Sequence, residues 1–299
     1  MAATLTIFTP AYNRADLLPR AFDALYAQKN RDFVWLIIDD GSTDNTAQVV
    51  ESFQNQDAGF EIRYFRKENG GLHTAYNAAI ELADTELSMC IDSDDWIAED
   101  AVEKIISLWR EVRRPDCAGI LALDAMPDGT PTCHIDAEGY INMNQYNLTH
   151  AWGGDRKLVI RTDLYKSVAP MPSFAGEKNF NPQYMHIRIA ENYEFYVMNE
   201  VLCYVDYQDT GMSASIFRQY MNSPNSFAEY RRMKMTVKQN NLKNIVRNAI
   251  HYDSSCILAG KPLEIVTRSP RKAITLAVAP LGWLLSRYVR YKCLMRKNI

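Results

Sequence analysis

"FVWLIIDDGSTDNT" (33–46) decides the fold. Six apolar, β-favouring residues run into Asp39-Asp40, followed by a turn signal at Gly41 and candidate helix caps at Ser42 and Thr43. An apolar run of that length with no polar alternation predicts a strand covered on both faces, as in a parallel sheet. Outward from it the same unit recurs. "TLTIFT" (4–9), "FEIRYF" (60–65) and "ELSMCID" (86–92) are short β-rich runs, each followed by a turn signal and a helical pattern. Leu18, Phe22, Leu25 and Tyr26 form one helical stripe, and Val102, Ile105, Ile106 and Trp109 form another.

Strands alternating with helices predict an α/β chain with a largely parallel sheet between helices. Ligands bind beyond the carboxyl ends of such strands. That rule gathers "TPAYNR" (9–14), "DDGSTDNT" (39–46), "NGG" (69–71) and "DSDD" (92–95) into one crevice. Past residue 115 the alternation weakens into a mixed region with a turn at "PDGTP" (127–131). "KLVIRT" (157–162) reads as a further strand and "FAGEKNFNPQ" (174–183) as a loop. A helix is expected at "YMHIRIAENY" (184–193), strand–turn–strand at "FYVMNEVLCYVDY" (195–207), and mostly helix over 213–260.

The 299 residues are 47% hydrophobic, ample for a packed core. Net charge is −3, but from Arg268 onward there are eight basic residues and no acidic one, so the first 267 residues carry −11 on 25 basic and 36 acidic side chains. An acidic body with a basic tail argues against nucleic-acid binding and for an anionic surface touched by the tail. Six scattered cysteines without a CxxC pair suggest neither a zinc site nor a disulfide framework, and fit a reducing cytosol. No basic region followed by a long apolar core opens the chain, so no secretory leader is expected.

Asp92, Asp94 and Asp95 crowd three carboxylates into four positions, which repel one another. On an extended segment Asp92 and Asp94 project to one side and can share a divalent cation such as Mn2+ or Mg2+, while Ser93 points away. The bland alternative is that Ser93, Asp94 or Asp95 caps a helix beginning near Ile97.

Together "FTPAYNR" (8–14), "WLIIDDGSTDNT" (35–46), "NGGLHTAYNAAI" (69–80) and "CIDSDDW" (90–96) resemble the inverting family 2 glycosyltransferases of the GT-A fold, strongly over residues 4–110 and weakly to about 213. The resemblance implies a Rossmann-like nucleotide-binding half (1–115), an acceptor half (116–213) and a mixed sheet flanked by helices. A helical carboxyl-terminal region (214–299) with a basic segment (268–299) would follow. It implies that Thr9, Pro10, Tyr12 and Arg14 line the nucleotide pocket, with Tyr12 stacking on uracil and Asp40 accepting the base's imide N–H. Asp92 would contact ribose or metal, with Ser93 beside it, and Asp94 would bind the metal bridging the diphosphate. Asn69, Gly70, Gly71, His73 and Asn77 would border the sugar and phosphates. Leu72 stands where some members carry lysine.

The family places an acidic pair before the helix at 184–193, but this chain has Pro182-Gln183, and glutamine cannot take a proton. Glu177 is the nearest candidate base, with Asp155 and Glu191 as rivals. No QxxRW stretch occurs, which favours transfer of a single sugar. The expected partners are a UDP-sugar donor and a lipid-linked or oligosaccharide acceptor. A non-catalytic nucleotide-sugar scaffold is the rival reading, motivated by Gln183.

"AITLAVAPLGWLLS" (273–286) is nearly uncharged but too short to span a bilayer, which takes about 20 apolar residues. Flanked by Arg271, Lys272, Arg287 and Arg290, it is expected to lie on an anionic membrane surface, placing the protein peripherally on the inner, cytoplasmic face of the cell membrane. The alternative is a helix docked on the protein's own core or on a partner chain.

Overall fold

The computed structural model describes residues 3–150, 154–207 and 216–295. Trp152 and Gly153, the 213/214 boundary, Arg296 and Lys297 lie outside the described residues. Two compact units result: Met1–Pro170 with Asn192–Gln208, and Met171–Glu191 with Asp209–Ile299. Residues 171–191, which the sequence assigns to the acceptor half, pack with the carboxyl-terminal helices.

The first unit runs β1 (Leu5–Ala11), α1 (Leu18–Tyr26), β2 (Phe33–Asp39), α2 (Thr46–Gln54), β3 (Glu61–Arg66), α3 (Leu72–Leu82), β4 (Leu87–Cys90), β5 (Trp96–Ile97) and α4 (Ala101–Val112). It continues with β6 (Cys117–Ala125), β7 (Gly139–Ile141), α5 (Met143–Thr149), β8 (Arg156–Arg161) and α6 (Thr162–Val168), and closes with β9 (Glu194–Tyr204). The second unit holds α7 (Gln183–Ile189), α8 (Ile216–Asn222), α9 (Pro224–Lys234), α10 (Leu242–Leu258), α11 (Glu264–Thr267) and α12 (Lys272–Met295).

One sheet with strand order β3-β2-β1-β4-β8-β6-β9-β5 spans the first unit, and β7 pairs with β9. β1 and β2 are buried at every residue and pair in parallel from Leu5↔Phe33 to Ala11↔Asp39, as their unbroken apolar character requires. On one face Phe22 of α1 stacks on Phe53 of α2 at 4.3 Å between ring centroids, over Trp35 of β2. The stripe Val102, Ile105, Ile106 and Trp109 is buried in the same core, as its spacing predicts.

β8 runs antiparallel to both β4 and β6, so its beginning reaches the edge where β4 and β6 end. β9 is parallel to β6 and ends there too. That edge therefore collects residues from six strands, counting β1 and β2.

Several expectations are corrected. Asp92–Asp95 is a turn, closed by the Asp95 N–H donating to the Asp92 carbonyl at 3.0 Å, not an extended segment. No helix begins near Ile97: Trp96–Ile97 pairs with β9, and α4 starts at Ala101. The region past 115 contains β6, nine residues buried throughout. Residues 194–204 form one strand, irregular where its register with β6 shifts, rather than two. The helix expected to 193 ends at Ile189, leaving Glu191 in the turn beyond.

In the second unit α10 and α12 approach closely: a Cβ on Gly282 of α12 would sit 2.4 Å from the Cβ of Asp253 on α10. Beneath that contact the Asp253 carboxylate is fully buried, with no hydrogen-bond partner among the described residues. Burial pushes its carboxyl up from 3.8 to about 7. The unfolded chain releases this proton near pH 4 and the folded chain near pH 7, so in between the folded state binds more protons and stability falls as pH rises. Urea unfolding across this range should show the native protein losing stability from pH 4 to 7 relative to Asp253→Asn; parallel pH profiles would contradict the buried, unpartnered carboxyl.

Candidate active site

Three loops at the carboxyl ends of β1, β2 and β3 lock one another. Asn13, at φ 54°, presents its side-chain oxygen to the Thr43 N–H at 2.8 Å, and its own N–H donates to Ser42 Oγ at 2.9 Å. Asp39 is fully buried and accepts from the Ser42 N–H at 2.7 Å and from the Tyr64 hydroxyl. Gly41, at φ +79°, is required where it stands: a Cβ there would lie 2.9 Å from the Asn69 nitrogen.

Asp40 carries the tightest part of this lock. Its carboxylate accepts from Lys67 Nζ at 2.6 Å, the Gly70 N–H at 3.0 Å and the Gly71 N–H at 2.7 Å. Those amides precede α3, so Asp40 serves as a distant cap where Gly71 has no side chain to offer, and its charge complements the helix terminus. Asn69 Nδ2 completes the tie on the Asp40 carbonyl at 2.7 Å. The residue implied to read the base is thus only 4% exposed and engaged by its own chain.

Beside this lock lies an acidic edge. Asp92 and Asp94 follow β4, Asp124 ends β6, Asp155 precedes β8 and Asp206 follows β9. Lys157 rises among them, 8% exposed, with Nζ 3.6 Å from Asp124 Oδ1. Burial alone would lower its pKa, but Asp124, Asp95 and Asp92 outweigh that and hold the ammonium well above its usual range. The carboxyls shift upward in turn. Burial, then repulsion from Asp92, Asp94 and Asp124, lifts Asp95 to about 8 against the pull of Lys157, and burial lifts Asp124 to about 6. Asp92 is open to solvent on one side and walled by protein on the others; that crowding, with repulsion from Asp94 and Asp155, raises it.

The turn at 92–95 sorts these carboxylates. Ser93 and Asp95 are buried, while Asp92 is exposed and Asp94 half-buried. The Asp94 carboxylate accepts no hydrogen bond among the described residues, and Asp92 accepts only a weak contact from Cys90 Sγ at 3.8 Å. Acceptor-only oxygens left open next to one another suit a hard divalent cation. Among the described residues no group of three or more His, Cys, Asp or Glu side chains is placed to hold a metal ion.

Arg14 Nε donates to Ser93 Oγ at 3.0 Å, joining the loop after β1 to this turn. Arg20, which the sequence reading did not single out, donates to the Asp94 carbonyl and to Asp206 at 2.8 Å while lying over the Trp96 ring at 4.2 Å. Tyr12 stands 46% exposed on the same loop, available for stacking. Thr9 is fully buried, its hydroxyl accepting from Trp35 Nε1 at 3.0 Å, and Pro10 is buried with it, so both belong to the core rather than to a pocket wall. His73 is likewise buried, whereas Asn69, Gly71 and Asn77 are partly open at the start of α3. Asp124 and Lys157 were missed; the signal was an Asp closing the apolar run "ILALDA" (120–125), as Asp39 and Asp92 close theirs.

The three candidate bases separate sharply. Glu177, in the second unit, is 7% exposed, and its two oxygens accept from the Asn225 N–H and Nδ2 at 2.8 and 2.7 Å and from the Ser226 N–H and Oγ at 2.7 and 2.6 Å. It caps α9, with every acceptor site in use, which corrects its choice as leading base. Glu191 accepts from the Lys238 N–H at 3.1 Å and ties two loops of the same unit. His186 is half-buried there, its pKa lowered to about 4 by loss of solvent around the ring. Of the three, Asp155 stands exposed on the acidic edge, oriented by the Tyr207 hydroxyl, which donates to its Oδ2 at 2.6 Å.

At the opposite, amino end of β4 a hollow is lined by Glu86, Arg113, Arg114, Arg161 and Asp163. Its guanidiniums are matched by carboxylates, including Arg161–Asp163 at 2.6 Å and Arg114–Asp116 at 2.8 Å, so the open acidic edge is the better site.

Residues 6–125 match the family described as "Glycosyl transferase family 2". Chondroitin synthase of Pasteurella multocida is 32% identical over 136 residues, 46% of this chain and 14% of that protein. The glycosyltransferase GlyG of Streptococcus pneumoniae is 30% identical over 117 residues, 39% of this chain and 37% of its own length. The chain thus spans well under half of either relative. Among solved structures, S. aureus TarS 1–349 in complex with UDP-GlcNAc superposes with a TM-score of 0.62 at 16% identity, covering 98% of this chain and 92% of that one. The mannosyltransferase PcManGT of Pyrobaculum calidifontis with GDP-Man and Mn2+ gives 0.57 at 16% identity over 96% and 88%. The fold is GT-A, and residues 6–125 are similar to the glycosyltransferases of family 2.

Because both Glu177 oxygens are spent on the first turn of α9, Glu177→Gln should cost about 2 kcal/mol of stability in urea unfolding. Turnover per folded molecule should stay within about threefold, well short of the loss expected on removing a general base. Unchanged stability with abolished turnover would restore Glu177 as the base.

Proposed function

We propose that this chain is an inverting family 2 glycosyltransferase that moves one sugar from a UDP-sugar to a lipid-linked or growing surface-glycan hydroxyl. The observation that carries the reading is the open pair Asp92 and Asp94 beside Asp155, on the edge that also holds the Tyr12–Arg14 loop. Tyr12 stacks on the base, and Asp40 fixes the α3 terminus whose Asn69, Gly71 and Asn77 border the phosphates and sugar. TarS, a protein of the same fold, has been captured with UDP-GlcNAc, which supports a uridine donor.

Breaking the glycosyl phosphate bond develops positive charge at the sugar and negative charge on the departing diphosphate. Asp92 and Asp94 would hold the divalent cation, Mn2+ or Mg2+, that supplies Lewis-acid stabilisation of that leaving group when bound. Asp155 takes the proton of the acceptor hydroxyl as its oxygen bonds to the anomeric carbon from the face opposite the leaving UDP. Tyr207 orients that carboxylate, and Lys157 from beneath limits the repulsion among its neighbours. The work is done at the cytoplasmic face of the cell membrane, where a lipid-linked acceptor is presented.

UDP release from UDP-sugar with extracted lipid acceptor tests these assignments. Asp155→Asn should lower turnover about 100-fold or more while leaving donor binding intact. Asp94→Asn should lose both turnover and its dependence on Mn2+. Full activity in Asp155→Asn would sink the base assignment, and native protein that binds donors but turns over none would favour the scaffold.

A further inference from the structure

In a globular protein a surface helix buries its apolar stripe and shows its polar side to water. α12 departs from that pattern. Its buried positions are Thr275, Gly282, Ser286 and Val289, with Ile274 and Val278 packed partly buried against the core of the unit, and Thr275 and Ser286 spend their hydroxyls on carbonyls of the same unit. Away from α10 stand Leu276 at 54% exposure, Leu281, Trp283, Leu284 at 56% and Tyr291. Leu263, at 79%, adds a further exposed apolar residue at the start of neighbouring α11. Gly282 is inside because α10 comes too close there for a larger residue, as its approach to Asp253 demonstrates. The large apolar side is therefore left for another apolar phase.

Lys272, Arg287 and Arg290 stand exposed along the same helix, Arg271 stands exposed just before it, and the chain has no acidic residue from Arg268 on. Arg268 is already matched, by Glu264 at 3.4 Å and Glu229 at 3.7 Å, and is not counted. Among the described residues no helix is long and apolar enough to cross a membrane. Apolar residues, interfacial aromatics and unmatched cations on one exposed side fit a helix lying in the plane of an anionic bilayer. A second copy fits poorly, since Arg287 lies within the apolar stripe and a two-fold contact of α12 with its own copy offers no acidic residue to pair with it.

We infer that the outward side of α12 is a membrane-docking face that seats the helix in the headgroup layer of an anionic bilayer. This builds on the membrane association proposed above but not on the sugar chemistry. Sedimentation of the full chain with sucrose-loaded vesicles, without donor, tests it. Binding is expected to phosphatidylcholine containing about 30% phosphatidylglycerol and to fall sharply on pure phosphatidylcholine. Leu281→Glu/Leu284→Glu should lose binding at least about tenfold with unchanged circular dichroism, because charge replaces the inserted residues. Arg287→Gln/Arg290→Gln, which keeps the apolar side, should weaken binding about fivefold per charge removed and flatten its salt dependence. No sedimentation with anionic vesicles would overturn the inference. So would equal binding by the Leu281→Glu/Leu284→Glu variant, or light scattering that shows a dimer broken by that variant. A chain that binds vesicles but turns over no donor supports the docking face and counts against the catalytic reading alone.

Discussion

Like charge gathered at one edge of a sheet is the constraint around which the first unit is built. Asp92, Asp95 and Asp124 act on one buried ammonium, Lys157, and Asp94 and Asp155 crowd the same carboxylates. One cation cannot neutralise them, and burial raises the cost of each uncompensated charge. The turn at 92–95 divides the load, turning Ser93 and Asp95 inward and leaving Asp92 and Asp94 toward the opening. A site with this residual negative charge is prepared for a positive ligand. The neighbouring lock of Asp39, Asp40, Asn13 and Asn69 holds the loops that would frame it.

The amino-terminal half was legible because its elements are local. Residues 33–39 form the strand their apolar run predicts, and the stripe at 102–109 is buried as its period requires. β6 was harder to see because "CAGILALDA" mixes Ala and Gly into its apolar run, and a strand buried on both faces has no alternation to betray it. The reversed direction of β8 could not be read locally at all, since it depends on which distant strands pair. That reversal is what brings Asp155 and Lys157 to the edge where β4 ends.

Site residues followed the same division between local and distant causes. Tyr12, Asp92 and Asp94 are set by their own turns and stand open or partly open, as motif reading suggests. Thr9 and Glu177 were misjudged because their partners are remote in sequence: Trp35 for one, Asn225 and Ser226 for the other. A carboxylate in a polar loop looks available until the donors that occupy it are known. The tail shows the converse, since its apolar residues were evident but the side they take on α12 was fixed only by the close approach of α10.

The central claim, that Asp94 anchors a cation which in turn holds a uridine diphosphate at this edge, is tested most directly by thermal unfolding with UDP and Mn2+ added singly and together. A ligand that binds the folded state alone raises the midpoint. A rise should appear with UDP and Mn2+ together, be much smaller with either alone, and vanish in Asp94→Ala. An identical rise in Asp94→Ala, or none in the native chain, would contradict the account.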